Sequence, residues 1–198
     1  MKILGITGGV GSGKSTVLQY LSTKENIVVY EADKIAFELQ QHGSECYDKI
    51  IKQFGTHLLL EDKSINRKKL GEIVFNDTKQ LELLNSIVHP AVRSKIEEVI
   101  KSEFENATSI LVLEAAILLE SNYQILCDEV WYIYCKKEVR VKRLQESRNY
   151  TIDTIENITQ KQLTDDEFRS KCDITIDNSD SAETLYQNIE THLQNLLS

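Results

Sequence analysis

One short stretch near the N-terminus constrains this chain more than any other, because it combines glycines, a lysine and a hydroxyl at fixed spacing. It matches the whole of the pattern G-x-x-x-x-G-K-[ST], in which a loop joins a strand to a helix. The matching residues are Gly8, Gly9, Val10, Gly11, Ser12, Gly13, Lys14 and Ser15, with Thr16 following. We expect the backbone here to adopt turns that only glycine allows.

The segments on either side of this loop favour phosphate binding. Residues 2–7 predict a strand before the loop, and residues 14–23 predict a helix after it. Successive backbone N–H groups of such a loop form an anion-binding concavity, which the positive end of the helix reinforces. We expect residues 8–16 to bind ATP, with Lys14 on the β- and γ-phosphates and the Ser15 hydroxyl on Mg²⁺. Kinases, GTPases and other ATPases share the pattern, so the loop alone does not select among them.

The bulk composition narrows the class of protein. The chain has 198 residues, of which 41% are hydrophobic, and this suffices for the core of a globular domain. Its net charge is −8. We expect no nucleic-acid partner, because binding to a phosphate backbone needs clustered lysine and arginine. We also expect no membrane association, since no segment approaches the roughly 18 apolar residues of a membrane helix and no secretory leader is evident.

Cysteine usage indicates a reducing compartment. None of the four cysteines forms a C-x-x-C pair, and they are too few for a disulfide-dense secreted fold. We therefore expect free, mostly buried thiols and a cytoplasmic location. The sequence leaves the oligomeric state open between a monomer and a small homo-oligomer.

Apolar strands alternate with helices along most of the chain. The predicted strands cover residues 2–7, 26–30, 109–115, 129–135 and 173–177. This alternation favours an α/β fold with a five-stranded parallel sheet and helices on both faces. Together with the phosphate loop, this organisation resembles that of P-loop nucleoside and nucleotide kinases. Ligands of such sheets bind beyond the carboxyl ends of the strands.

We predict a single domain made of three parts. The core comprises about 1–43, 106–135 and 164–198, an almost wholly helical insertion on the acceptor side covers about 44–105, and a lid covers about 136–163. The insertion is too long for a simple crossover between strands. The last predicted helix, over 181–197, carries an apolar stripe of Ala182, Leu185, Ile189, Leu193 and Leu196.

Three carboxylates follow predicted strands. Phosphoryl transfer to an alcohol needs a carboxylate that orients the hydroxyl and accepts its proton. Glu31 and Asp33 follow the second strand, and Asp33 is the candidate base; the alternative is that Asp33 caps the next helix, and both roles can coexist. Glu114 ends an apolar strand, where it either binds Mg²⁺, directly or through water, or is simply a solvated strand end.

A basic run over 136–148 stands out in an acidic chain. Lys136, Arg140 and Arg143 recur on one face of the predicted helix. Arginine is suited to bridging phosphate oxygens, and a helix closing over the nucleotide would exclude water. The alternative is an ordinary solvated helix face. Given the phosphate loop upstream, we favour a lid.

Over nearly its full length the chain resembles the dephospho-CoA kinase family. The similar segments are ITGGVGSGKST, YEADKIA, INRKKLGEIVF, VHPAV, AILLE, RVKRLQESR with Gln162, and CDITIDNS. The VHPAV segment resembles a His-Pro turn of the family. Departures from the family pattern are glutamate at Glu31 and Glu114 in place of aspartate, and Ala116 in place of proline. The spacing from Arg143 to Arg148 is also one residue longer than in the family pattern.

This resemblance implies a reaction and a set of roles. ATP and dephospho-CoA would give ADP and coenzyme A, with transfer to the ribose 3′-hydroxyl. Asp33 would be the general base, and Lys14, Arg143 and Arg148 would contact the phosphates. Asp177 and Asn178 would lie near the adenine. Arg67 and His89 would belong to the acceptor side, and Glu114 would also bind substrate.

Two other functions compete with this interpretation. Another small-molecule kinase, acting on a nucleoside or nucleotide, would share the loop, lid and strand order. A nucleotide-dependent switch of the Ras type should carry an N-K-x-D segment, and the chain has none.

Overall fold

The computed structural model describes residues 1–197 and contains one five-stranded sheet. Its strands are β1 (Lys2–Thr7), β2 (Ile27–Glu31), β3 (Ile110–Glu114), β4 (Glu129–Tyr134) and β5 (Ile174–Asp177). Across the sheet they lie in the order β2-β3-β1-β4-β5. β1 runs parallel to β3 and β4, and β4 runs parallel to β5. The predicted α/β fold is confirmed, and the strand before the glycine-rich loop is the central one.

Nine α-helices connect and follow these strands in the described part of the chain. They are α1 (Lys14–Leu21), α2 (Ala32–Leu39), α3 (Glu45–Phe54), α4 (Arg67–Phe75), α5 (Thr78–Glu105), α6 (Lys137–Arg148), α7 (Ile152–Thr159), α8 (Asp165–Lys171) and α9 (Ala182–Leu197). Short 3₁₀ turns lie at Thr56–Leu58 and Tyr123–Leu126. No helix among residues 1–197 is both long enough and apolar enough to span a bilayer.

The chain folds as two compact units. The first contains residues 1–30 and the chain from residue 103 onward, and the second contains residues 31–102. Most of the insertion predicted over 44–105 falls in the second unit, which begins at Glu31. The residues predicted to form the lid belong to the first unit, together with the glycine-rich loop.

The core of the first unit lies on the sheet face that packs against α1 and α9. Trp131, in β4, is fully buried there, and Leu4 and Ile6 of β1 are buried beside it. The apolar stripe predicted for the last helix is confirmed at Leu185, Ile189, Leu193 and Leu196, which are all buried, while Ala182 is exposed. Burial of each large apolar side chain contributes about 1.5–3 kcal/mol. This packing fixes the sheet from which the loop emerges.

The second unit is a helical assembly with its own apolar core. α3 begins at a capping residue, Ser44, whose side chain accepts a hydrogen bond from the Tyr47 N–H. It buries Ile50 and Phe54 along one face. Asn66 caps α4 in the same way, accepting from the Lys69 N–H. These caps satisfy N–H groups that a helix leaves unpaired in its first turn.

The expected His-Pro turn is wrong, because His89 and Pro90 lie inside α5. A proline interior to a helix removes one backbone hydrogen bond and disfavours helix continuation. Here Val88, Val92 and Ile96 recur at four-residue spacing and are all buried. Their common apolar stripe continues on both sides of the proline, and its burial offsets the local cost.

The capping role considered for Asp33 is also wrong. α2 begins at Ala32, before Asp33, and its capping position is Glu31, which makes no side-chain capping bond. Asp33 is an exposed residue of the first helical turn. A carboxylate there is favoured by the helix dipole but is not needed to close the helix end.

A buried carboxylate anchors the end of α5 to β2. Glu103 accepts hydrogen bonds from the Thr108 hydroxyl at 2.7 Å and from the Tyr30 hydroxyl at 2.8 Å. These two bonds, the Thr108 bond foremost, hold the pKa of Glu103 below its usual range. A carboxyl whose pKa is lowered by folding stabilises the fold above its unfolded pKa, and that contribution is lost as the pH falls through the folded pKa.

We predict that Glu103→Gln lowers the melting temperature at about pH 7 by about 4 °C, because the charge-assisted bonds become neutral ones. The deficit should shrink as the pH falls from about 7 through the lowered pKa of folded Glu103, because the wild-type carboxylate then takes up a proton. Thermal denaturation followed by circular dichroism across this pH range measures both effects. Glu105→Gln, an exposed change on the same helix, is the control. A deficit that is independent of pH would contradict the prediction.

Candidate active site

Four strand ends meet at one edge of the sheet. Because β1, β3, β4 and β5 are parallel, their carboxyl ends lie at the same edge. Register places Glu114 of β3 opposite Ile6 of β1, next to the start of the glycine-rich loop. The residues that follow β4 and β5 reach the same edge. This is where ligands of parallel sheets bind.

Gly13 shows why the loop needs glycine. It precedes α1 with φ at 88°, in the left-handed region that side chains disfavour. A Cβ atom at this position would overlap the Asn178 side-chain nitrogen. The backbone then turns into α1, whose first N–H groups have no partner within the helix and can bind an anion. The expected strand–loop–helix junction is present.

Lys14 is held between the loop and the end of β3. Its Nζ donates a 2.7 Å hydrogen bond to the Gly8 carbonyl and lies 3.7 Å from Glu114 Oε1. The Lys14 side chain is 15% exposed and that of Glu114 8% exposed. The interpretation of Glu114 as a solvated strand end is therefore wrong. The ammonium is fixed above the loop with a buried counter-charge beside it.

Asn178 fastens the end of β5 to the loop. The residue is buried, and its Nδ2 donates a 2.8 Å hydrogen bond to the Ser12 carbonyl. Its own N–H donates to the Tyr134 carbonyl at 2.9 Å, which ties it to β4 as well. The structure thus places Asn178 against the phosphate loop.

Helix α6 presents two arginines to the loop. The Arg143 Nη1 atom donates to Cys135 Sγ at 3.4 Å and lies 3.4 Å from where a Cβ on Gly13 would be. Burial raises the pKa of the Cys135 thiol, so the sulfur remains a neutral acceptor. Arg140, which the sequence placed only among the basic residues of the lid, lies over Gly9.

The segment after α7 also touches the loop. The Gln162 side-chain oxygen accepts a hydrogen bond from the Val10 N–H at 3.0 Å. The resemblance had grouped Gln162 with the lid but gave it no role. Lid and loop therefore meet within the first unit.

Four predicted site residues lie outside this group. Arg148 is exposed at the end of α6, with its guanidinium 5.8 Å from the centre of the Tyr150 ring, and no hydrogen bond or ion pair joins it to the loop among the described residues. Asp33, Arg67 and His89 belong to the second unit.

Arg67 has local partners in that unit. Its guanidinium lies 4.3 Å from the centre of the Phe37 ring, and its Nη2 donates to Gln40 Oε1 at 3.3 Å. Burial lowers the pKa of Arg67. His89 is half-buried in α5, and burial lowers its pKa too, which favours the neutral imidazole.

The donors around the loop fit Mg²⁺. Ser15 lies exposed in the first turn of α1, and the Glu114 carboxylate lies across the loop beside Lys14. Both offer hard oxygen ligands. No group of three or more His, Cys, Asp or Glu suited to a metal occurs among residues 1–197. Mg²⁺ commonly needs only one or two protein oxygens, because phosphates and water fill its other positions.

Known proteins resemble this chain over most of its length. A family model described as dephospho-CoA kinase matches residues 2–184. A dephospho-CoA kinase from Carboxydothermus hydrogenoformans is 37% identical, covering 98% of this chain and 94% of its own length. The crystal structure of a Thermus thermophilus protein, 24% identical, superposes with a TM-score of 0.84 and covers 100% of this chain and 98% of its own. The dephospho-CoA kinase structure from Campylobacter jejuni, 28% identical, gives 0.73, with coverages of 98% and 96%.

We predict that Gly13→Ala weakens ATP binding by at least about tenfold, because the added methyl group is strained and displaces Asn178 from Ser12. Isothermal titration calorimetry with a non-hydrolysable ATP analogue measures the loss. Gly43→Ala is the matched control, since Gly43 has φ at 95° but open space around its missing Cβ. A Gly13→Ala protein that binds the analogue as tightly as the Gly43→Ala protein would refute the role of the Gly13–Asn178 contact.

Proposed function

The chain belongs to the dephospho-CoA kinase family, and we propose that the phosphate loop and the side chains gathered around it carry out the family's reaction. The chain is a kinase that phosphorylates dephospho-CoA to coenzyme A, with ATP as the phosphoryl donor. The phosphoryl group goes to the ribose 3′-hydroxyl, and ADP leaves.

The placement of Lys14 carries the residue-level proposal. Its ammonium is fixed above the loop by the Gly8 carbonyl and Glu114. A triphosphate bound to the loop amides would bring its β- and γ-oxygens to this cation. Phosphoryl transfer depends mainly on positioning and on charge stabilisation, so a fixed cation at that place is the principal requirement.

Arginines of the lid supply the second set of charges. Arg143 lies next to Gly13, held by the Cys135 sulfur. We assign Arg143 to the phosphate oxygens on which negative charge develops during transfer. Arg148 is the weaker candidate for the same role, because its described contact is with the Tyr150 ring.

Asp33 is proposed as the general base. It follows β2 in the chain, two residues after the strand ends, and it is exposed rather than used as a helix cap. Its carboxylate would accept the proton of the 3′-hydroxyl as that oxygen attacks the γ-phosphorus. Arg67 and His89 are proposed for the acceptor side, and Glu114 for the nucleotide or metal.

Mg²⁺ is proposed as the cofactor, held by the Ser15 hydroxyl, with Glu114 as a direct or water-mediated ligand. When bound, it would neutralise part of the negative charge of the phosphates. Asn178 would hold the loop in the conformation that binds the phosphates, through its bond to Ser12.

We also propose a cytoplasmic location. The four cysteines are all free, which suits a reducing compartment.

The acceptor is tested by an assay of ADP release. Dephospho-CoA, adenosine, nucleoside monophosphates and water are compared under the same conditions. We expect rapid ADP release with dephospho-CoA alone, and mass spectrometry should find the new phosphate on the ribose 3′-oxygen. Faster turnover with a nucleoside or nucleotide would replace the proposal with the competing small-molecule kinase.

We predict that Lys14→Ala lowers kcat by about a thousandfold, because the charge on the transferring group is no longer stabilised. Steady-state kinetics with dephospho-CoA measures the loss. Lys142→Ala, which removes an exposed lysine from α6, is the matched control and should retain wild-type turnover. Near-normal turnover of Lys14→Ala would refute the proposed site.

We predict that Asp33→Asn lowers kcat by about 100-fold or more while ATP affinity changes little, because an amide cannot accept the proton. Kinetics and calorimetry separate the two quantities. Asp48→Asn is the control, since Asp48 is also an exposed first-turn aspartate, on α3. A parallel loss of ATP affinity and kcat would assign Asp33 to nucleotide or metal binding instead.

A further inference from the structure

Arg140 lies directly over the phosphate loop. Its Nη1 atom is 2.9 Å from the position that a Cβ on Gly9 would occupy, and its Cγ is 3.0 Å from the corresponding position on Gly11. The side chain is only 12% exposed. The guanidinium can come this close because the loop residues beneath it have no side chains. Such a cation would be among the first groups that a bound phosphate meets.

A carboxylate from a distant part of the chain pairs with this arginine. Asp165 Oδ1 lies 3.7 Å from Arg140 Nη2. Asp165 is the first residue of α8, whose N-terminus is fixed by a capping box between Thr164 and Glu167. Asp165 is 40% exposed, so solvent screens the pair and its strength is modest. Its effect is to restrict where a long, flexible side chain can point.

The buried Tyr132 fixes the carboxylate in turn. Its hydroxyl donates a 2.6 Å hydrogen bond to the same Asp165 Oδ1 atom. The Tyr132 ring stacks on Phe168 of α8, with centroids 4.6 Å apart and planes 7° from parallel. Burial, and then the bond to Asp165, raises the pKa of Tyr132, so the phenol remains a protonated donor. β4 and α8 thus hold the carboxylate in one orientation.

We propose that Asp165, oriented by Tyr132, is a positioning residue that holds the Arg140 guanidinium over the loop to receive phosphate oxygens of the nucleotide. The proposal rests on the proposed function in one respect, namely that the loop binds ATP. It does not depend on the acceptor. Holding the arginine in place before the nucleotide arrives lowers the ordering cost of binding.

A double-mutant cycle tests the coupling. Asp165→Asn, Arg140→Gln and the double variant are titrated calorimetrically with the β,γ-imido analogue of ATP, without an acceptor. We expect Asp165→Asn to weaken binding about fivefold in the wild-type background and to have almost no further effect once Arg140 is replaced. An equal loss in both backgrounds, or no loss in either, would overturn the proposal.

Two further variants separate positioning from helix stability. Asp166→Asn removes the neighbouring exposed carboxylate from the same first turn of α8, and we expect unchanged binding; a loss equal to that of Asp165→Asn would overturn the proposal in favour of a helix-dipole effect. Tyr132→Phe should weaken binding in the same direction by a smaller factor, with the loss absent in the Arg140→Gln background. Tyr132→Phe binding at the wild-type level would refute its orienting role.

Kinetics keeps this proposal distinct from the proposed function. If wild-type protein fails to turn over dephospho-CoA but the cycle shows coupling, the acceptor assignment falls and the positioning role stands. If turnover is normal and the coupling is absent, the acceptor assignment stands and the positioning role falls. In active protein, Asp165→Asn should raise the KM for ATP about fivefold and change kcat by a smaller factor.

Discussion

Everything in this structure that concerns nucleotide binding depends on a single backbone loop being held open toward its ligand. Because four of its residues are glycines, the loop has few side chains of its own, and other elements must fix it. The Lys14 ammonium bonds to the Gly8 carbonyl, Asn178 holds the Ser12 carbonyl, and Gln162 accepts from the Val10 N–H. These contacts come from α1, from the end of β5 and from the segment after α7. A loop that carries little packing of its own is therefore made rigid by its neighbours.

Much of the fold could be predicted from the sequence, because local patterns determine it. Apolar strands alternating with helices specify a parallel sheet, and a four-residue apolar spacing specifies the buried face of α9. The errors arose where packing outweighed local preference. Pro90 lies inside α5 because buried residues on both sides of it keep the helix intact. Asp33 is a frequent capping residue, yet α2 starts one position earlier, directly from the strand.

The candidate site was predictable in part. A motif eight residues long identified Lys14 and the loop glycines, since their spacing alone defines the chemistry. The partners of those residues could not be found in this way. Asn178 and Ser12 are 166 positions apart, and no local pattern connects Asp165 to Arg140. Only the sheet order, which places β4 beside β1 and β5 beside β4, brings such residues together. The basic run over 136–148 was informative about the lid but did not say which arginines reach the loop.

The buried indole in β4 has a practical consequence. Trp131 is the only tryptophan in the sequence, it is fully shielded from solvent, and its Nε1 donates to Glu129. Fluorescence excited at the long-wavelength edge of the protein absorption band, where tyrosine absorbs little, therefore comes from Trp131 alone. This residue lies in the sheet of the unit that carries the nucleotide loop. The emission wavelength will shift when the sheet unfolds and exposes Trp131 to water. It will not respond to rearrangements confined to residues 31–102. Paired with a probe placed in the helical unit, it distinguishes sequential from concerted unfolding of the two units.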